Sequence, residues 1–83
     1  MQDSIKIGKI VRFHRMKARL TQAELAKFAG IGKTAVFDLE KGKASVQLST
    51  ILAVLHVLNV QLAFHGPIMH LFNKHEESQS LCK

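Results

Sequence analysis

The stretch from Leu20 to Lys43, LTQAELAKFAGIGKTAVFDLEKGK, constrains the fold more than any other part of this 83-residue chain. Thr21 stands three residues before Glu24. At that spacing a hydroxyl accepts from the third backbone N–H while the carboxylate reaches back, so a helix is predicted from Gln22. Leu25, Phe28 and Ala29 form its apolar stripe, and Gly30 suits the left-handed turn that ends it. Ile31 then plugs the core, Lys33 to Glu40 form a second helix burying Val36 and Leu39, and Gly42 stops that helix. Two short helices joined at a glycine are an arrangement that lets a small domain push one helix into the DNA major groove.

Charge supports a polyanion partner, and its position says more than its total. The formal charge is +6; Met1 to Lys43 holds ten Lys/Arg against four Asp/Glu, and Ala44 to Lys83 holds two against two. Each cation placed on a phosphate releases condensed counterions. From Ala44 to Asn73 there is no Asp, Glu, Lys or Arg, a pattern expected of a segment buried between protomers. A single domain this small has little core of its own, which again points to a second subunit.

The remaining elements follow from periodicity. Ser4 or Asp3 can cap a first helix running to about Arg19, with Ile7, Ile10, Val11, His14 and Ala18 turned inward and Lys9, Arg12 and Lys17 outward. A helix from about Gln47 to Leu58, capped by Ser45 or its neighbour, carries Leu48, Ile51, Leu52, Leu55 and Leu58 on one face and Val54 and Val57 beside it. That arc is too wide for one core and calls for a twin subunit on its far side. At Asn59 the period becomes alternating: Val60, Leu62 and Phe64 against Gln61, Ala63 and His65, ended by Gly66-Pro67. A strand without a second strand is expected to pair with its copy across a two-fold axis; an irregular apolar tail packed on its own domain is the alternative. Ile68, Met69, Leu71 and Phe72 form another apolar cluster suited to docking, and Asn73 to Ser80 is expected to be disordered.

The pattern Leu-Thr-Gln-x-Glu-Leu-Ala, Ala-Gly-Ile at the turn and Leu-Glu-x-Gly-Lys resembles the lambda-repressor-like and xenobiotic-response-element-like helix-turn-helix regulators over roughly Ile7 to Val60. With its short length and extended C-terminal segment, the chain looks most like a HipB-type antitoxin, a small autorepressor encoded beside a HipA-type kinase toxin. The resemblance implies a role for each matched residue. Gln22 and Gly32, with Lys41 and Lys43 after the recognition helix, would meet phosphates. Lys33, Thr34, Phe37 and Asp38 would face base edges: Lys33 donating to guanine, Thr34 bonding an edge or touching a thymine methyl, Phe37 meeting a methyl, and Asp38 accepting from cytosine or pairing with a lysine. Arg15 and Glu40 would form a structural ion pair. Leu55, Leu58, Val60, Leu62 and Phe64 would close the dimer.

Other chemistries find little footing. There is no Ser/His/Asp ordering or usefully spaced carboxylate pair, and GIGKT lacks the first glycine and full spacing of a phosphate-binding loop, so no enzyme and no cofactor are expected. His65, His70, His75 and Cys82 fit no standard zinc spacing. Cys82 has no partner for a disulfide, which with the absence of a signal peptide suggests the cytoplasm, near the nucleoid. Val46 to Phe64 is charge-free but carries too many polar residues for a membrane span. The expected fold class is therefore all-α: a compact four- to five-helix lambda-repressor-like DNA-binding domain over 1–59, a strand pairing across a homodimer over 60–67, and an apolar patch with a flexible tail over 68–83. The expected function is repression of a palindromic operator in a toxin–antitoxin operon, with a HipA-type kinase or toxin-associated subunit as protein partner. A free-standing repressor of other genes and an adaptor that has lost DNA binding are the alternatives.

Overall fold

A computed structural model describes residues 2–81; Cys82 and its thiol lie outside the described residues. Five helices follow one another: α1 (Gln2–Lys17), α2 (Gln22–Ala29), α3 (Lys33–Glu40), α4 (Leu48–Val57) and α5 (Met69–Leu81). The core gathers Val11 of α1, Leu25 and Ala26 of α2, Val36 and Leu39 of α3, and Val54 and Leu55 of α4. Helices α2 and α3 pack together, α1 lies across α3, and α4 closes the group against both α2 and α3; the principal helix contacts do not involve α5. Among the described residues, no helix is long and apolar enough to cross a membrane.

Helix ends explain most departures from the expected boundaries. α1 stops at Lys17 rather than Arg19 because Arg19 turns left-handed (φ 59°), leaving Ala18 exposed instead of inward. α4 likewise ends before Asn59 (φ 59°), and Gln47, not Ser45, occupies its N-cap, without a side-chain hydrogen bond. His14 is half-buried and its Nδ1 lies 2.7 Å from the Ile10 carbonyl oxygen, so the ring is spent on its own helix.

Four packing expectations change. Phe28 is 64% exposed, because small Ala26 takes the close approach beside Leu25 and rotates the buried stripe of α2 away from the aromatic ring. Leu55, expected at the dimer interface, is only 6% exposed and belongs to the protomer's own core; Leu58 and Val60 pack partly against that core. Leu48 and Leu52, by contrast, stay exposed on the far side of α4. Residues 60–66 are neither helix nor strand, since a strand ladder needs a second extended segment and none is described in this chain. Finally, the polar run after Phe72 is helical, not disordered. Its side chains set exposure, and a helix polar around most of its circumference still satisfies its own backbone.

Candidate nucleic-acid interface

The turn between α2 and α3 is fixed at both ends. Thr21 Oγ1 accepts from the Glu24 backbone N–H at 3.0 Å, and Glu24 Oε1 accepts from the Thr21 N–H at 2.8 Å. The bond from the Thr21 backbone, then that with its hydroxyl, holds the Glu24 carboxyl below the usual carboxylate range. At the other end Gly30 adopts φ 71°, and the Ile31 N–H reaches the Ala26 carbonyl at 3.0 Å. This turn places Gly32 at the N-cap of α3, where no side chain caps the helix. The opening turn of α3 is thus left to an outside acceptor.

Inward and outward sides of α3 are cleanly separated. Val36 and Leu39 enter the core, which turns Lys33, Thr34, Phe37 and Lys41 outward at helical spacing; all four are exposed. Phe37 is 44% exposed, with Lys41 Nζ 4.9 Å from its ring centroid, so the cation and the ring occupy the protruding surface together. Asp38 is half-buried on the flank, its Oδ2 3.6 Å from Lys43 Nζ. Of the two roles weighed for it, the geometry favours the lysine partner. Below this pair lies a recess of about 140 Å³ bounded by Asp38, Lys43, Ser45, Gln47 and Thr50. Sequence reasoning missed Ser45, Gln47 and Thr50 as neighbours of α3, since no local pattern shows that the start of α4 folds back beside Asp38.

Arg15 and Glu40 meet behind α3. Arg15 Nε donates to Glu40 Oε2 at 2.6 Å and Nη2 to Oε1 at 3.0 Å, while Nη1 donates to the Leu20 carbonyl at 2.9 Å. Hydrogen bonding to Glu40 raises the guanidinium pKa further. The Glu40 side chain is only 4% exposed. Gln22 joins this network, its Nε2 donating to Glu40 Oε1 at 3.2 Å. Its amide is therefore held against the end of α3 rather than held out alone.

A sequence profile of the helix-turn-helix family matches residues 11–65, a span that contains the capped turn, α3 and α4. This chain belongs to the lambda-repressor-like helix-turn-helix family. Within it, the chain is similar to the uncharacterized HTH-type transcriptional regulator y4mF of Sinorhizobium fredii, 39% identical over 61 residues that cover 74% of this chain and 80% of the relative. It is also similar to the ImmF control region 10 kDa protein of Bacillus phage phi105, 29% identical over 62 residues, 75% of this chain and 69% of that one. In this helix-turn-helix protein α3 is the second helix of the motif, and Lys33, Thr34 and Phe37 are the side chains it holds away from the core. Lys43 flanks it through Asp38, whereas Leu62 and Phe64 lie on the C-terminal segment, exposed and outside this cluster.

Proposed function

We propose that this helix-turn-helix protein is a non-enzymatic transcriptional repressor that binds a palindromic operator as a homodimer. The observation that carries the reading is the exposed row Lys33, Thr34, Phe37 and Lys41 on the side of α3 opposite its core contacts. Lys33 and Thr34 read base edges, Phe37 meets a thymine methyl, and Lys41 and Lys43 grip phosphates with the backbone N–H groups at Gln22 and Gly32. Leu48, Leu52, Leu62 and Phe64 are exposed apolar side chains on α4 and the segment after it, which supports a second copy there. In that dimer residues 60–65 gain the ladder that one chain cannot provide.

The finer assignment is a HipB-type antitoxin that represses its own operon and contacts a HipA-type kinase toxin; it rests on the motif pattern and the apolar segment that follows α4. A free-standing repressor is the second reading, favoured by the phage control-region name of one relative. Co-purification of a kinase-sized neighbour encoded beside this chain separates the two. The DNA reading is tested by Lys33→Ala and Thr34→Ala. Each is expected to cost about 1 to 3 kcal/mol on the operator while leaving random DNA nearly unaffected. Equal losses on both DNAs in a titration at fixed salt would remove these residues from base readout.

A further inference from the structure

Two surfaces of this chain are not used by the DNA reading, the second sharing only Phe64 with the dimer contacts above, and each supplies what the other lacks. The first is the outer face of α1. Val11, Gly8 and Arg15 turn toward the core and α3, so Lys6, Lys9, Phe13 and Lys17 project on the opposite side at helical spacing, all exposed. Phe13 is 58% exposed, with Lys17 Nζ 5.5 Å from its ring, and Met16 beside it is exposed as well. This face cannot serve the recognition helix. α1 contacts α3 through Leu39 and Glu40, and Thr34, Phe37 and Lys41 leave α3 on the other side. These cations point behind the probe, away from the groove.

The second surface is α5, which extends from the body with its apolar side uncovered. Phe64, Ile68, Met69 and Phe72 line an open apolar groove of about 430 Å³. Glu76 follows Phe72 by four residues and Met69 by seven, so the three share one face of α5. The order along the two helices is complementary when they run antiparallel. Lys9 precedes Phe13 by four residues on α1, and Glu76 follows Phe72 by four on α5, so aligning the two rings brings the ammonium and the carboxylate level with one another. Parallel packing would instead set Glu76 level with Lys17, whose ammonium already lies over the Phe13 ring, so Lys9 is the cation left to pair and the antiparallel direction is the one that uses it.

We propose that α5 of one copy packs antiparallel on the outer face of α1 of a second copy, Phe13 entering the groove of Phe64, Ile68, Met69 and Phe72 and Lys9 pairing with Glu76. Repeated by two-fold symmetry, the exchange covers both exposed surfaces on both copies and needs no third component. The inference rests on the homodimer reading and adds to it the segment that clasps the pair.

The test uses the full chain with Cys82→Ser, carrying either Lys9→Cys or Glu76→Cys. Mixing the two single-cysteine proteins under mild oxidation is expected to give a covalent heterodimer on a non-reducing gel, faster than either gives a homodimer. A doubly substituted chain that closes only within itself would overturn the exchange in favour of self-docking, and so would the absence of any 9–76 bond. In sedimentation equilibrium, Lys9→Glu and Glu76→Lys are each expected to weaken the dimer about fivefold, and the two together to restore it. Phe13→Ala, at a site outside the core, is expected to weaken it at least tenfold, a loss on the order of an interface anchor. Additive losses in the charge-swapped double variant would overturn the pairing. If the parent stays dimeric without the crosslink, the clasp fails and the homodimer survives; a monomeric parent removes the homodimer itself, and operator binding reports separately on DNA recognition.

Discussion

Glu40 is the residue on which the geometry of the interface turns. It accepts from Arg15 on α1 and from Gln22 at the start of α2, so three helices share one nearly buried carboxylate at the end of α3. A buried ion pair contributes little net stability, yet removal of one partner strands the other charge. Arg15 retains the Leu20 carbonyl and some solvent contact, which softens that loss. Glu40→Gln is therefore expected to destabilise the fold by about 2 to 3 kcal/mol in denaturant titration, toward the lower end for such pairs. Operator affinity at low temperature, where the variant is folded, should fall less than for Lys33→Ala, because Glu40 lies on the side of α3 packed against α1 and α2. A larger effect on binding than on stability would mean that the network sets the angle of α3 rather than only fastening it.

At the scale of elements, the approach of α1 to α3 depends on a residue with no side chain. A Cβ placed on Gly8 would stand 2.5 Å from the Leu39 carbonyl oxygen and 2.8 Å from that of Glu40, both backbone atoms that cannot swing aside. Alanine is intrinsically better than glycine inside a helix by about 1 kcal/mol. Gly8→Ala is nonetheless expected to destabilise by about 1 to 3 kcal/mol, since the helices must separate by a sizeable fraction of an ångström in a packed interface; a raised melting temperature would show that α1 has room to move. Nothing in the sequence marks Gly8, because the reason for it lies on another helix. The same division runs through the rest of the fold. The Thr21–Glu24 cap, the Gly30 turn and the span Lys33–Glu40 were legible, since each is settled by residues within one turn of each other. Phe28 was misplaced because only tertiary packing decides whether Ala26 or the ring faces the core. Leu55 was assigned to a partner for a similar reason: a wide apolar arc does not say which part of it the protomer covers first. The helix after Phe72 was missed because polarity was read as disorder, although polarity governs exposure rather than backbone conformation.

For the whole molecule the decisive quantity is how the basic charge is distributed between front and back. Lys33, Lys41 and Lys43 stand on or beside α3, while Lys6, Lys9 and Lys17 lie on the face of α1 that is turned away from α3. Total charge would lead to the expectation that every one of these cations steepens the salt dependence of binding. Geometry divides them, because only a cation seated on a phosphate releases counterions in proportion to its contact. In a dimer each substitution acts twice. Lys41→Gln should therefore reduce the slope of log affinity against log salt by about two, and by about one if a single copy binds. Lys6→Gln should leave the slope unchanged while lowering net charge by the same amount. Measured by fluorescence anisotropy across a salt series, equal changes for the two variants would mean that the field of the whole protein, not the docked contact, governs association. A null effect for Lys41 alone would place its ammonium over the Phe37 ring in the bound state as in the free one, contributing to the shape of the probe instead of to its grip on the backbone.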